Sequence, residues 1–426
     1  MKIAFIESFL EKEWNGYTAR YTEGVSGSHS AIFYLAEAIA KHKHEVTVIQ
    51  QYAVFQSKWV NGVYYQSMEN MPNDDQTLYD IVVCTFQLKD MNVLNKIKNY
   101  KKIAFVTGCI ELSKFTLPSH QDHWFYSSPK FFSSNIWQGE YINHVNFFDM
   151  FDLDKLNILY VSENAKINTF FINRRIETVR HHLLYNSVDL QDYFNSKGEL
   201  FTLSEDKKEN NFVFFACVER GYNVVLEVAK RFDGKFNIIA SNYNKVLYQD
   251  VEKDTCETND TCLISTNKNV KIIYPKNSSK QEIHNWNRRS KYFIYPVFNP
   301  ENRKIHYDTF GYVVLEALLC GTIVIAPRMR VFEELYGDAI YYIDTNGIVD
   351  YNDLVWSHWF EPSTSTLWDK VFPDITKSFI NRYVEAVQHL ESDPELRKTH
   401  IQRGFLLKDK FSNHSLAESF LRFFSS

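Results

Sequence analysis

The sequence lacks several features that would assign it to a common class. Its formal net charge is -5 over 426 residues, whereas a nucleic-acid-binding protein usually gathers a basic excess on one face. No apolar run reaches the ~18 residues that a membrane-spanning helix needs. The opening stretch MKIAFIESF turns acidic at Glu7, Glu11 and Glu13 instead of continuing as a signal peptide. We therefore expect a cytoplasmic protein with no nucleic-acid partner and no transmembrane segment, and the composition leaves peripheral membrane contact open.

Clustered cysteines and a dinucleotide fingerprint are also missing. The chain has six scattered cysteines, and only Cys256 and Cys262 lie near each other, in a polar loop without histidines at zinc spacing. A nucleotide-binding dehydrogenase would place G-x-G-x-x-G directly after its first strand and an acid at the end of the second, and neither half of this chain does so. These absences argue against a zinc site and against a dehydrogenase.

The length and the hydrophobic pattern predict two α/β domains. A chain of 426 residues exceeds one ordinary hydrophobic core. Short apolar strands such as KIAFIES, VTVI, FVFFA and FNIIAS alternate with segments of helical periodicity, which is typical of parallel sheets. The charged stretch 195–211 is poor in apolar residues, as a linker should be. We therefore place the domains at 1–195 and 210–400.

One stretch, DTFGYVVLEALLCGTIVIAP, combines acidic residues with an apolar helix. Asp308 and Glu316 flank an apolar run bounded by Gly311 and Gly321, and Asp308 or Thr309 can cap the helix. Gly311 permits close approach of a bound group, and the unpaired N–H groups at a helix start suit an anion such as a diphosphate. Glu316 needs a partner for its charge, because a carboxylate in an apolar helix is costly. A buried helix with an N-cap aspartate and a snorkelling glutamate is the alternative.

This stretch resembles the acidic-x7-acidic motif of the retaining glycosyltransferases of family 4. That family has the GT-B fold, in which two Rossmann-like domains with parallel sheets face an interdomain cleft. The resemblance implies that Asp308, where the family usually has glutamate, lies beside the donor sugar and acts in catalysis. It implies that Glu316 hydrogen-bonds the nucleotide ribose, so that Glu316→Gln leaves the nucleotide-free protein equally or more stable. Thr309, Phe310 and Gly311 would contribute to donor binding.

The same resemblance implies an activity. The enzyme would move a sugar from a nucleotide-diphosphate-sugar, such as a UDP- or GDP-sugar, to a hydroxyl of a glycan or another acceptor. The anomeric configuration would be retained, and neither a metal nor a further cofactor would take part.

Segments before the linker resemble the family in the same order. Gly24, Gly27 and Ser28 precede the first long helix, resemble the glycine loop that opens the N-terminal domain, and are candidates for donor binding; a tight turn is the alternative. His120 and His123 lie in a polar loop where the family often has a histidine facing the acceptor, and they are candidates for catalysis; a solvated loop histidine is the alternative.

The resemblance to the family also implies that both ends of the chain contribute to one domain. The segment SNHSLAESFLRFF is similar to a terminal helix that crosses back onto the N-terminal domain. We therefore expect the helix at about 405–426 to pack on residues 1–195, which the family uses for the acceptor.

After the strand FVFFA, Arg220 and Gly221 open another helix. The resemblance implies that Arg220 grips the donor diphosphate and that Gly221 belongs to the same donor site. The family usually adds a Lys-Gly pair there, which this chain does not have. Either the site holds its donor less tightly, or it uses a second cation from elsewhere, such as Arg303 or Lys304. A surface arginine at a turn is the alternative for Arg220.

Two other functional classes remain open. One is a catalytically silent GT-B relative that binds a nucleotide-sugar or a partner protein, which the aspartate at 308 and the missing cation favour. The other is a single-domain, metal-dependent glycosyltransferase of the GT-A type, because Asp152-Leu153-Asp154 matches an Asp-x-Asp metal pair. A solvated turn is the alternative for that pair, since it precedes an apolar strand instead of following one.

Overall fold

The computed structural model describes the chain in a series of ranges. These are residues 1–8, 10, 12–72, 76–84, 91–107, 151–166, 178–194, 208, 210–216, 220–232, 236–239, 270–273, 279–299, 304–305, 308–345 and 366–426. Packing divides the chain into two compact units. The first comprises Met1–Glu13, Ala36–Tyr185 and Ser419–Ser426, and the second comprises Trp14–Leu35 and Asn186–Glu418. Every helix of the described ranges is too short or too polar to cross a membrane.

The first unit is built on a sheet of eight strands. They are β1 (Lys2–Glu7), β2 (Glu45–Gln50), β3 (Lys58–Val60), β4 (Val63–Ser67), β5 (Tyr79–Cys84), β6 (Tyr100–Thr107), β7 (Leu156–Tyr160) and β8 (Arg180–Leu183). The strand order is β3-β4-β2-β1-β5-β6-β7-β8. All neighbours are parallel except the β3–β4 pair at the edge. Strands β1, β2 and β7 are buried almost throughout, as expected for a parallel sheet that is covered on both faces.

The second unit contains a sheet of six parallel strands. They are β9 (Asn210–Phe214), β10 (Phe236–Ile239), β11 (Val270–Ile273), β12 (Ser290–Ile294), β15 (Ile323–Pro327) and β16 (Tyr341–Ile343). A separate antiparallel pair consists of β13 (Phe298–Asn299) and β14 (Lys304–Ile305). The order of the six strands is β11-β10-β9-β12-β15-β16. In chain order this is 3-2-1-4-5-6, the arrangement of a doubly wound Rossmann sheet. The predicted α/β fold with parallel sheets is therefore confirmed.

Helices connect the strands and follow the last of them. They are α1 (Gly16–Tyr21), α2 (Gly27–Lys41), α3 (Met91–Leu94), α4 (Tyr222–Ala229), α5 (Lys280–Arg288), α6 (Tyr312–Leu319), α7 (Arg330–Tyr336), α8 (Thr366–Ser392), α9 (Pro394–Lys410) and α10 (Asn413–Ser425). Helix α6 is almost entirely buried. A Cβ at Gly404 would lie 2.9 Å from the carbonyl oxygen of Leu318, so a glycine in α9 lets its backbone approach the end of α6.

The two units are assembled from segments that lie far apart in the sequence. The predicted boundaries were 1–195 with about 405–426, and 210–400. The structure instead groups residues 14–35 with the second unit, where the guanidinium of Arg20 lies 3.5 Å from Asp189 and 3.3 Å from Asp192. Only the last part of the terminal helix, from Ser419 onward, groups with the first unit, where Arg180 donates to the carbonyl of Phe423 at 2.7 Å. Tertiary ion pairs and hydrogen bonds of this kind leave no local trace in the sequence.

Candidate functional site

The candidate site lies at the carboxyl edge of the second sheet, where the strand order reverses. Strands β9 and β12 are neighbours, although they are the first and fourth strands of this sheet in chain order. Arg220 follows β9, Tyr295 directly follows β12, and the N–H of Val297 donates to the carbonyl of Arg220 at 3.0 Å. Ligands of open α/β sheets bind in the crevice at such a switch point. The topology therefore points to the edge of the sheet where Arg220 and Tyr295 bond to Asp308 of the acidic motif.

The carboxylate of Asp308 is held on both oxygens. Its Oδ2 accepts hydrogen bonds from Arg220 Nη1 at 2.9 Å and from the Tyr295 hydroxyl at 2.7 Å. Its Oδ1 accepts from the backbone N–H of Gly311 at 2.7 Å and of Phe310 at 3.3 Å. Asp308 is 9 % exposed, so these are partly desolvated, charge-assisted bonds. Asp308 thus ties the Arg220 guanidinium to the start of α6.

The backbone at the start of α6 is fixed by a glycine and a buried tyrosine. Gly311 has φ of +72°, and a Cβ there would lie 3.1 Å from Cε1 of Phe332, so other residues would be strained and crowded. The Tyr336 hydroxyl donates to the carbonyls of Phe310 at 2.5 Å and Gly311 at 3.1 Å. Burial raises the pKa of Tyr336 well above its ordinary value, so its hydroxyl remains a donor. Thr309 is half-buried in the same loop.

A second helix begins beside Arg220. Gly221, with φ of +107°, starts α4, just as Gly311 starts α6. Among the described residues, no side chain caps either helix at these glycines. The first N–H groups of a helix together carry roughly half a positive charge. Arg220, whose side chain is 24 % exposed, lies directly before one of these ends and is hydrogen-bonded to the loop before the other.

Glu316 has a cation of its own chain as partner. It is 0 % exposed, and its Oε1 lies 2.6 Å from Nζ of Lys280, which is 3 % exposed. Nε2 of His284 lies 3.8 Å from the same oxygen. Burial alone would raise the pKa of Glu316, but Lys280 and His284 outweigh it and the pKa lies below its usual value. Glu316 Oε2 has no hydrogen-bond partner within the described ranges.

Two tyrosines extend this buried polar cluster. The Tyr193 hydroxyl lies 3.0 Å from Nε2 of His284. The Lys280 ammonium lies 5.4 Å from the centre of the Tyr312 ring, and the Tyr312 hydroxyl donates to the carbonyl of Ser187. Burial raises the pKa of both tyrosines well above the ordinary value, with the charge of Glu316 adding to it.

The glycine loop contacts the candidate site through packing. A Cβ at Gly27 would lie 3.0 Å from Cβ of Tyr312, so glycine lets the start of α2 meet the start of α6. Gly24 is half-buried and Ser28 is exposed. The Ser26 hydroxyl lies 2.6 Å from Nδ1 of His29. In this structure Gly27 is needed because the backbone packs closely against Tyr312. The sequence had instead suggested that a glycine here lets a ligand approach the backbone.

Some of the proposed site residues lie outside the described ranges. These are His120, His123 and Arg303. Lys304 is described only as part of the backbone of β14. The histidines therefore stay predictions, as does a second diphosphate cation from 303 or 304.

Several residues of the site were not predicted from the sequence. Lys280 and His284 lie one turn apart on α5, which Ser279 caps by accepting from the N–H of Glu282 at 3.2 Å. This i, i+4 pair of basic residues was the available signal, because such residues share a helix face. Tyr295 carried no signal of its own, since a tyrosine at the end of an apolar strand usually belongs to the core.

The Asp-x-Asp pair forms a turn in front of β7. The carboxylate of Asp152 accepts the N–H of Asp154 at 3.1 Å, and its other oxygen lies 3.9 Å from Nζ of Lys155. All three residues are exposed. The predicted alternative of a solvated turn describes this geometry. The two Rossmann-like sheets also do not fit a single-domain GT-A protein.

Comparisons with known proteins agree on the fold. No family model matches the chain, and no curated protein matches its sequence. It is similar in structure to sucrose-phosphate synthase from Thermosynechococcus elongatus, with a TM-score of 0.62, 10 % identity and coverage of 100 % of this chain and 98 % of that one. For Anabaena HepE in complex with UDP and glucose the TM-score is 0.57, the identity 12 % and the coverage 100 % and 99 %. For WaaG, a glycosyltransferase involved in lipopolysaccharide biosynthesis, the values are 0.55, 10 %, and 98 % of both chains. At this identity the similarities show the fold alone, and the fold is GT-B.

Proposed function

We propose that this protein is a glycosyltransferase that moves a sugar from a nucleotide-diphosphate-sugar to an acceptor hydroxyl, with retention of anomeric configuration. The observation that carries the proposal is the arrangement of Arg220, Asp308 and the start of α6 at the switch point of the second sheet. The N-terminus of α4 begins beside Arg220, so the site combines a cation with two helix N-termini, groups that favour an anion such as a diphosphate. WaaG, a structural neighbour that is named as a glycosyltransferase, supports the same class of reaction.

The leaving group determines what this site must do. When the bond between the anomeric carbon and the diphosphate breaks, the electron pair stays on the diphosphate oxygen, and positive charge stabilises the departing anion. Arg220 and the N–H groups at the starts of α4 and α6 would supply that charge. The acceptor oxygen forms the new bond to the anomeric carbon on the same face of the sugar, and its proton passes to the departing diphosphate oxygen. These contacts use groups of the protein itself, so we propose no metal and no cofactor besides the donor.

The nucleoside would lie along α6. Glu316 follows Gly311 by five residues, which corresponds to about 7 Å along a helix axis. A nucleoside diphosphate spans such a distance between its phosphates and its ribose hydroxyls. The Oε2 of Glu316, unpartnered within the described part of the chain, would accept a hydrogen bond from the ribose. Because Glu316 is 0 % exposed, the neighbouring side chains must move for the ribose to reach it.

Asp308 would serve the donor chiefly by positioning. Its four hydrogen bonds come from its own chain and fix Arg220 and the α6 start. An aspartate fits this task because its short side chain returns to the N–H groups of the following turn. Thr309, Phe310, Gly311 and Gly221 would provide the surrounding backbone. Asp308 is 9 % exposed, and a contact with the donor sugar would be made by this exposed part of the residue.

The remaining assignments are also proposals. UDP-sugars are the first donors to test, since HepE was crystallised with UDP and glucose, and GDP-sugars follow. The acceptor is a glycan or another hydroxyl compound, which the N-terminal domain would bind, with His120 and His123 as the candidate residues. We propose a cytoplasmic location without a nucleic-acid partner.

Donor turnover distinguishes the proposed enzyme from a silent relative. With a panel of UDP- and GDP-sugars, we expect one donor to be consumed slowly even without acceptor, because water can take the place of the acceptor hydroxyl. Proton NMR of the first sugar released is expected to show the anomeric configuration of the donor. The measurement should be made before the free sugar equilibrates between its anomers.

The control for this experiment is each donor without protein. Tight binding of a donor, seen as a thermal shift of the protein, without any turnover would favour the silent, binding relative. Release of the opposite anomer would contradict retention while leaving glycosyl transfer in place.

Chelation tests whether a divalent cation takes part. We expect activity to survive EDTA, because the leaving diphosphate meets Arg220 and helix N-termini. The double variant Asp152→Ala with Asp154→Ala is expected to keep nearly the activity of the wild type, since the pair lies in an exposed turn. Loss of activity in EDTA with recovery on addition of Mn²⁺ or Mg²⁺ would contradict this mechanism.

A further inference from the structure

We propose that Lys280 is a positioning residue that sets Glu316 as the acceptor for a ribose hydroxyl of the bound nucleotide. This inference rests on the proposed function, and it adds a residue that the acidic motif does not contain. The structural basis is the contact between Nζ of Lys280 and Oε1 of Glu316 at 2.6 Å, in a place where both side chains are almost fully buried.

The burial of this pair points to a role other than stability. Moving two opposite charges from water into a protein interior costs about as much as their attraction returns, and an apolar pair of similar volume is often as stable. Helix α6 is otherwise apolar on its buried faces, so a leucine at 316 would fit the pattern of its neighbours. An ion pair retained at such a position is explained by what the carboxylate binds.

The two oxygens of Glu316 are in different situations. Oε1 is next to Lys280 and His284, whereas Oε2 is buried and lacks a hydrogen-bond partner among the described residues. A buried acceptor without a donor loses the hydrogen bonds that water gave it, which destabilises the folded state. A hydroxyl from a ligand would satisfy it, and Lys280 leaves that oxygen open by binding the other one.

The surroundings keep Glu316 an acceptor. Within the described ranges, the titratable groups that interact electrostatically with Glu316 are Lys280 and His284 on α5, Tyr34 on α2, Tyr193, Tyr312 on α6, and Cys320. Burial raises the pKa of all three tyrosines well above the ordinary value and that of Cys320 to about 12, so these groups are neutral near pH 7. Among the described residues, Lys280 and His284 lower the pKa of Glu316 against the effect of burial, and Lys280 is the nearer of the two, at 2.6 Å against 3.8 Å.

The test is a thermodynamic cycle in which Lys280 is replaced in the protein and one hydroxyl is removed from the nucleotide, each alone and both together. UDP and GDP are titrated by calorimetry against the full chain, and the tighter of the two is compared with its 2′-deoxy and 3′-deoxy forms. In the wild type we expect one deoxy form to bind roughly 10- to 100-fold more weakly, because it lacks a hydrogen bond to a charged acceptor. In Lys280→Met we expect this penalty to fall below about threefold, because a neutral carboxyl accepts a much weaker bond.

Two further variants separate this role from a general effect on the fold. Lys280→Gln keeps a donor to Oε1 but removes the charge, and its penalty is expected to fall as well. Lys410→Met removes another partly buried lysine of the same unit, one that donates to the carbonyls of Glu334 and Leu335, and it should keep the full penalty. A lysine with a purely structural role would change the affinity for both forms of the nucleotide equally.

The outcomes are distinct. An undiminished penalty in Lys280→Met, or no penalty in the wild type, would overturn the inference and leave the proposed function standing. Failure of the wild type to bind either nucleotide would remove the proposed function and the inference together. If neither Lys280→Met nor Lys280→Gln folds, Lys280 is a residue of the fold itself and the assignment is wrong.

Discussion

Replacing Arg220 with alanine is expected to lower donor turnover by roughly 10²–10³-fold, the loss observed when one preorganised donor to a developing anion is removed. The expectation follows from the position of Arg220 between two helix starts and from its 2.9 Å bond to Asp308. That bond fixes the guanidinium before the donor arrives, so the charge is in place when the diphosphate leaves. The measurement is the rate of sugar release from the best donor at saturating concentration.

A matched control is available on the same unit. Arg382 forms an exposed ion pair with Glu385 at 3.9 Å on α8, and Arg382→Ala should leave turnover unchanged. Substrate affinity helps to locate the effect: loss in turnover with little change in donor affinity indicates a contact made mainly in the transition state. Wild-type turnover in Arg220→Ala would show that the diphosphate leaves elsewhere.

Glu316→Gln is expected to destabilise the nucleotide-free protein by about 3–5 kcal/mol, the range found when one member of a buried ion pair is removed. The sequence alone led to the opposite prediction, because it gave Glu316 no partner other than the ribose. The structure corrects this, since the substitution removes the carboxylate that pairs with Lys280, which is buried and 3 % exposed. The change in the free energy of unfolding is measured from the urea-induced unfolding transition of the second unit.

Two companion variants test the assignment to the ion pair. Glu333→Gln disrupts an exposed pair with Arg328 and should change the free energy of unfolding by no more than about 1 kcal/mol. The double variant Lys280→Met with Glu316→Gln should recover part of the loss, because no buried charge is left unpaired. If Glu316→Gln alone is as stable as the wild type, the ion pair contributes nothing to the nucleotide-free fold.

The sequence predicted those parts of the fold and site that depend on local pattern. The apolar strands and the glycines at the starts of α4 and α6 follow from periodicity and from backbone geometry that each residue imposes by itself. The linker predicted at 195–211 lies almost entirely outside the described residues and stays a prediction. The partner of Glu316 could not be read in this way. Lys280 precedes Glu316 by 36 residues and belongs to a different helix, so only the packing of α5 against α6 brings them together.

The position of Asp308 shows the same limit. The sequence predicted Asp308 or Thr309 as the N-cap, whereas Gly311 takes that position; Asp308 instead accepts the Gly311 N–H, which lies three residues further along the chain. Its bonds to Arg220 and Tyr295 depend on the order of β9 and β12 in the sheet, which hydrophobic periodicity does not define. The domain boundaries in the structure differ from the predicted ones for a similar reason. Helix α1 groups with the second unit, where Arg20 forms ion pairs with Asp189 and Asp192, although α1 lies near the start of the sequence.

The assembly of each unit from distant segments affects how the chain folds during synthesis. Arg20 is made early, but its partner Asp192 is 172 residues further along, so the guanidinium stays in water until that residue has left the ribosome. Similarly, the hydrogen bond from Arg180 to the carbonyl of Phe423 cannot form until Phe423, 243 residues later, has been synthesised. Contacts across such separations close slowly because of the entropy of long loops. Neither unit can therefore be completed when its first sheet strands appear, and the nascent chain exposes apolar surface that favours aggregation until the later segments arrive.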